Sequence, residues 1–261
     1  MAKEYNTFMV VMIRYWFFAA FVFAIALRSS GGLAGTARTD QLGLQIGRGL
    51  LLALEICVAI YGFTLLGLVE SHAIFASYPL IITALSGPLL GERVGWRRWA
   101  AVGAGFLGML IILDPGSGVF HPAALIPVAS AVLFAVYGIA TRYAARRDTA
   151  MTSFFWTGTA GAVLMTAVGL PNWEWMQGTD WLWMLALSIT GVLGHWLLIR
   201  CYDLAEASAV QPFAFFHQVF AALIGIAIFG EALRNNVALG AAVILIAGVF
   251  ALWRAHRAMK Q

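Results

Sequence analysis

The stretch from Ala207 to Phe229, ASAVQPFAFFHQVFAALIGIAIF, runs for over twenty residues without a formal charge before Gly230-Glu231. As an α-helix rising roughly 1.5 Å per residue it spans the roughly 30 Å hydrocarbon core of a bilayer. Within it lie Gln211, His217 and Gln218, polar groups that at such depth face protein or a wet cavity rather than lipid. A second apolar stretch, AIFASYPLIITALSGPLLGE from Ala73 to Glu92, also holds a proline and ends on Gly-Glu. One such ending in each half of the chain signals an internal repeat, with the function expected between the halves.

The chain is 62% hydrophobic and 11% charged, against about 25% charge in a soluble domain. The fold class is therefore an all-α polytopic membrane protein. The net charge of +4 arises from arginines clustered in short loops, which excludes a nucleic-acid partner. Cys57 and Cys201 lie in or at the end of apolar segments, giving neither a disulfide framework nor a metal site. No cofactor is expected. Lys3, the apolar run Tyr15–Leu27 and Ala24-Ile25-Ala26 imitate a signal peptide, but Arg14 and Arg28 at the flanks argue against cleavage.

Nine apolar segments have spanning length. They are Met9–Leu27, Leu44–Leu66, Ala73–Leu90, Trp99–Leu113, Ala123–Thr141, Ala150–Leu170, Trp181–Leu198, Ala207–Phe229 and Val237–Trp253. The short fourth segment can borrow residues from Trp96 onward. Basic residues gather on alternating ends: Arg28, Arg38 and Arg48; Arg93, Arg97 and Arg98; Arg142, Arg146 and Arg147; Arg200; then Arg254, Arg257 and Lys260. These are most of the 16 Lys and Arg in the chain. The positive-inside rule puts the C-terminal tail in the cytoplasm and the N-terminus outside. Trp173, Trp175, Trp181 and Trp183 bracket one outer loop, and Trp96, Trp99 and Trp253 mark cytoplasmic ends, as in an interfacial belt. Gly87, Gly91 and Gly95 at small-xxx-small spacing suit close helix packing and allow a homodimer.

Aligning Gly91-Glu92 with Gly230-Glu231 brings a short polar loop and then a glycine-rich helix after each, AAVGAGFLGMLIIL and ALGAAVILIAGVFAL. An acidic turn precedes each, Leu68–Ala73 and Leu204–Ala209. The loop charges place Glu92 inside and Glu231 outside, so the halves are inverted, a relation common in secondary transporters. On these helices, with Pro79, Pro212 and the run Gly191-Val-Leu-Gly-His195-Trp-Leu-Leu leading to Asp203-Leu-Ala, the chain resembles the EamA-type members of the drug/metabolite transporter superfamily. The resemblance implies two EamA repeats, at 1–114 and 115–261, and a carrier rather than an enzyme, in a bacterial inner membrane. The family has ten helices, five per repeat, with both ends cytoplasmic. Here Met9–Leu27 with its Arg14 looks like the second helix, so the resemblance implies a first repeat of four and a missing first helix.

Glu55 is the most informative single residue, near the middle of Leu44–Leu66. An ionised carboxylate at that depth costs several kcal/mol, so intramembrane acids are functional candidates. A carboxyl that takes and releases a proton there suits proton coupling. The structural alternative is a packing residue paired with Arg14. Arg48, seven residues earlier, shares its helical face about 10 Å along the axis. His195 lies toward the cytoplasmic end of its segment, His217 and Gln218 lie near mid-depth, and Gln211 shares a face with Gln218. With Ser77 and Tyr78 beside Pro79 these could line one polar pathway; individually each could be an interhelical hydrogen bond. Phe213, beside Pro212, joins the set as a stacking candidate. Glu92 and Glu231 are expected to pair with Arg93 and Arg234 or to meet water.

Intramembrane hydrolysis would need a Ser–His pair with a glycine-rich turn, two aspartates in apolar helices, or His-Glu-x-x-His, and none occurs. The expected partner is a small organic molecule carried by alternating access. The resemblance implies cargoes such as amino acids, S-adenosylmethionine, nucleosides and riboflavin. With Glu55 as the one strong charge and His, Gln and Phe around it, a neutral, planar, hydrogen-bonding ligand is favoured among these, and riboflavin taken up into the cell is the specific expectation. Amino acids or S-adenosylmethionine, in uptake or efflux, are the alternatives within the class. A non-transporting membrane scaffold is the alternative outside it.

Overall fold

The computed structural model describes residues 5–66, 68–114, 121–229 and 235–258, and every regular element among them is helical. In chain order the helices are α1 (Thr7–Arg28), α2 (Gly32–Ala37), α3 (Leu42–Leu66), α4 (Leu68–Phe75), α5 (Tyr78–Leu90) and α6 (Trp96–Leu113). They continue with α7 (Leu125–Ala144), α8 (Ala150–Gly169), α9 (Asp180–Leu204), α10 (Ala207–Ala214), α11 (Phe216–Phe229) and α12 (Asn235–Ala258). Among the described residues 7 stretches are long and apolar enough to cross a membrane, and a shorter apolar helix runs over Asn235–Ala251. The fourth segment does begin at Trp96.

The helices follow the apolar segments with two exceptions. Ala73–Leu90 is interrupted at Ala76 and Ser77, and Ala207–Phe229 is interrupted at Phe215. Pro79 has no N–H to offer the carbonyl four residues back, and Pro212 has the same defect. Ser77 N–H turns to the Ile74 carbonyl at 3.0 Å, a tighter turn than the α-helical one. In the register that aligns Gly91 with Gly230, Ala76 falls on Phe215, so both breaks sit at the same point of the repeat although their prolines lie on opposite sides of it. The halves of the second stretch, 8 and 14 residues long, reach only about 12 and 21 Å. The first expected acidic turn is helical instead, forming most of α4. Glu231 and Arg234 lie outside the described residues.

The chain folds as two compact units that cut across the sequence halves. One comprises Met1–Cys57 and Ala140–Leu204, the other Val58–Ile139 and Ala205–Gln261. In the first unit α1 lies along α8. Asn6 caps α1 by accepting from Phe8 N, and Thr149 caps α8 by accepting from Thr152 N. The helices approach closely because Gly158, Gly161 and Gly169 leave room for Phe18, Tyr15 and Met12. In the second unit α6 lies along α12, close enough that a Cβ on Gly240 would stand 2.4 Å from the Gly108 carbonyl oxygen. Val102, Met109, Ile112, Val219 and Ile244 fill that core with Phe215. The Phe215 ring, at the break itself, occupies the space that Gly105 leaves open. In the repeat register α1 corresponds to α8 and α6 to α12, so in each unit a helix packs on its own counterpart.

Candidate functional site

In the first unit α3 presents a buried face with Gln45, Arg48, Leu52 and Glu55 at helical spacing, none more than 4% exposed. Sequence counting placed Arg48 among the loop charges. The structure corrects this, because Arg48 is interior and both its terminal nitrogens are hydrogen-bonded. Its Nη2 donates to Gln45 Oε1 at 2.8 Å and to the Ser153 carbonyl at 2.5 Å, and Nη1 donates to Thr141 Oγ1 at 3.1 Å. Gln45 Nε2 in turn donates to Asp148 Oδ2 at 2.7 Å. A buried guanidinium needs this dense hydrogen bonding to offset its desolvation.

One layer away, Arg14 on α1 meets His195 on α9, Nη2 to Nε2 at 3.1 Å. Arginine only donates, so Nε2 accepts and the imidazole proton lies on Nδ1, which is buried and has no hydrogen-bond partner among the described residues. Phe18 stacks on the same ring, with centroids 6.0 Å apart. Gly191 makes space for the Arg14 side chain, since a Cβ there would stand 2.7 Å from its Nε. Glu55 is within electrostatic reach of Arg14, so a carboxylate at this depth is not isolated. Arg14, Arg48, Glu55 and His195 thus lie within electrostatic reach of one another as an ionisable cluster inside one unit.

The second unit holds a cluster of stacked histidines and rings. His72 stacks on His217 at 5.3 Å and on Phe63 at 5.8 Å. Its Nδ1 is buried without a hydrogen-bond partner among the described residues. Beside it, Phe75, Tyr78 and Phe134 pack at centroid distances of 4.7 to 5.6 Å. Ser77 immediately precedes α5, and Pro79 is buried in the first turn, its carbonyl accepting from Thr83 Oγ1 at 2.7 Å. Gln211 is buried and donates back to the Ala207 carbonyl of its own helix at 2.6 Å. Gln218 is buried, with Nε2 unpartnered among the described residues. Phe213 points elsewhere, edge-on to Phe216 and into a recess beside Arg93, Arg97 and Arg98.

Of the residues expected along one pathway, Glu55 and His195 belong to the first unit and the other seven to the second. Sequence reasoning placed Arg48 on the face of Glu55 but also counted it as a loop charge, and it passed over Gln45, His72 and Phe134. The spacing of Gln45, Arg48, Leu52 and Glu55 was the available signal for the first of these. His72, a histidine at the head of an apolar run that aligns with Gln211 in the repeat, was the signal for the second. Glu92 does not take Arg93 as its main partner. Its carboxylate accepts from Ala207 N at 2.7 Å, Ser208 N at 2.9 Å and Ser208 Oγ at 2.6 Å, capping α10 from another helix. Arg98 completes the cluster, 2.7 Å from Ser208 Oγ and 2.5 Å from Glu206 Oε2.

The model of the EamA-like transporter family matches residues 1–114 and again 121–253, nearly the whole chain. The chain belongs to the EamA-like transporter family. As an EamA protein it is a multi-pass membrane protein with two repeats. Among its relatives, a riboflavin transporter of Rhizobium johnstonii is 32% identical over 88% of this chain and 76% of that protein. A riboflavin transporter of Vibrio cholerae is 29% identical over 84% and 74%. An S-adenosylmethionine uptake transporter of Rickettsia felis is 26% identical over 87% and 77%. A solved crystal structure superposes with a TM-score of 0.85 at 20% identity, covering 98% of this chain and 91% of that one; at that identity it speaks to the fold alone.

Proposed function

We propose that this EamA protein is a secondary transporter that brings riboflavin across a bacterial inner membrane by alternating access between inverted halves, with its C-terminus in the cytoplasm. The observation that carries the reading is the set of relatives named as riboflavin transporters, 26% to 32% identical over most of the chain. The aromatic face around His72, His217, Tyr78 and Phe134 supports it, because a planar ring system stacks on such groups. Paired Pro-interrupted helices in corresponding positions are also where a repeat-built carrier places its substrate site. In this reading Glu55 couples uptake to protons. It exchanges Arg14 for a proton in one state, and His195 Nδ1 and Gln218 Nε2 supply unspent hydrogen-bonding capacity. Ser77, Pro79 and Gln211 hold the broken helices. The chain performs no chemistry on its cargo and binds no nucleic acid. The small-residue stripe expected at Gly87, Gly91 and Gly95 does not form one helical face, because Gly91 ends α5 in a left-handed cap and Gly95 precedes α6.

The relatives named for S-adenosylmethionine uptake favour a second reading, a cationic nucleoside-like cargo on the same aromatic surface. The deciding experiment expresses the protein in a bacterium unable to make riboflavin and follows growth on micromolar vitamin, with membrane insertion checked by blot. Growth together with accumulation of labelled riboflavin is expected, and excess S-adenosylmethionine should leave it unchanged. No growth from a well-inserted protein rejects the riboflavin reading. Labelled S-adenosylmethionine accumulating in its place adopts the second.

A further inference from the structure

At the start of α6 the second unit holds a recess of about 280 Å³ with a cationic rim and an apolar floor. Arg93, Arg97 and Arg98 form the rim, and Pro212, Phe213 and Phe250 lie on the floor. The three cations are not equivalent. Arg98 is neutralised by Glu206 and held by Ser208, and the Glu92 carboxylate is taken up by the first N–H groups of α10. Arg93 and Arg97 are exposed, and neither has a carboxylate partner among the described residues. The guanidinium of Arg97 lies over the Trp96 ring, 5.4 Å from its centroid, and both residues line the recess. Trp96 itself is 72% exposed and begins a spanning helix, so the rim lies at headgroup depth.

We infer that this recess is a binding site for an anionic phospholipid, with the phosphate between Arg93 and Arg97 and an acyl chain over Pro212, Phe213 and Phe250. Charge selects the occupant: a zwitterionic lipid brings its own cation to a site that already has two in excess, whereas an anionic headgroup offsets one of them and adds no further cation. The apolar floor selects an amphiphile over a free anion, because a bare phosphate would leave the floor uncovered. One wall of the recess is α10, the short helix that precedes the break at Phe215. Lipid bound there braces the discontinuous helix from its outer side.

The test uses the full chain purified in neutral detergent. Thermal stability is followed on adding phosphatidylglycerol, phosphatidylcholine of the same acyl chains, or inorganic phosphate. Native mass spectrometry counts the lipid retained. Phosphatidylglycerol is expected to raise the unfolding midpoint and to appear as a bound adduct, with little effect from the other two. The double variant Arg93→Gln/Arg97→Gln should lose both the adduct and the shift. Arg93→Lys/Arg97→Lys should recover them in part, and Arg146→Gln/Arg147→Gln, an equal loss of charge in the other unit, should retain them. Equal stabilisation by phosphatidylcholine overturns the proposal, as does an undiminished adduct in the Arg93→Gln/Arg97→Gln protein. Inorganic phosphate reproducing the whole shift would overturn the lipid assignment and leave a site for a free anion.

Discussion

The two units of this EamA protein solve the same packing problem with different materials. The first buries charge: Arg48 at 1% exposure and Glu55 at 4% lie on α3, with the Arg14–His195 pair beside them. The second buries rings and backbone, with stacked histidines, a Phe–Tyr–Phe cluster and two helices in contact at Gly108 and Gly240. A charged interior holds its shape through side-chain hydrogen bonds, each of which can be exchanged for another partner. A glycine crossing holds its shape through main-chain contact, which has no second arrangement nearby. On the proposed reading, in which Glu55 couples uptake to protons, the first unit is the one that changes state. The second is equipped to keep a broken helix in place.

The sharpest way to break this contrast is to add one methyl group to each unit. In Gly240→Ala the new Cβ meets backbone, 2.4 Å from the Gly108 carbonyl oxygen. Relief requires moving one helix off the other, and a cost of about 3 kcal/mol or more is expected. In Gly191→Ala the new Cβ meets the Arg14 side chain, which can swing aside by giving up its bond to His195, a loss of about 1–3 kcal/mol. Gly240→Ala should leave little folded protein in the membrane, whereas Gly191→Ala should fold and lose transport. Yield and thermal unfolding in detergent measure the first, and uptake measures the second. Equal damage to folding from both would show that the charged interior is as rigid as the glycine crossing.

Next in size is the functional effect of Glu55→Gln. The amide keeps the shape and cannot carry a proton across a cycle, so accumulation driven by an inward proton gradient should fall to the level of no gradient. Exchange of internal for external substrate should persist in part. The check is labelled-substrate uptake into vesicles with and without an imposed pH difference. Full accumulation by Glu55→Gln would assign Glu55 to packing against Arg14 and remove it from coupling.

What the sequence made legible follows the physics of each residue. Hydropathy found the spanning segments because the cost of exposing polar backbone to lipid leaves little freedom. Glu55 stood out because a carboxyl at mid-span has no interfacial excuse. Arg48 was counted with the loop charges because charge counting treats any arginine near a helix end as a loop residue, although its spacing put it on the face of Glu55; its partners Thr141 and Ser153 settle that it is interior. The two helix breaks were signalled by Pro79 and Pro212 without being located. The second break sits where Phe215 fills the space beside Gly105, a contact between segments more than a hundred residues apart.

The smallest expected effect tests the join between a charge and a broken helix. Glu92 caps α10 with both carboxylate oxygens while Arg98 holds Ser208 and Glu206. Glu92→Gln keeps one acceptor but turns an amide donor toward an N–H, and it removes the negative charge that favours a helix N-terminus. About 1 kcal/mol of stability should be lost, a fall of a few degrees in the unfolding midpoint. Arg98→Gln should cost a similar amount by freeing Ser208 and leaving Glu206 unpaired. If the two act on one cap, the double variant should cost less than the sum of the singles. Strict additivity would separate the Arg98–Glu206 pair from the cap. An unchanged midpoint in Glu92→Gln would mean that water satisfies α10 as well as the carboxylate does, leaving the broken helix anchored by Phe215 and its apolar neighbours alone.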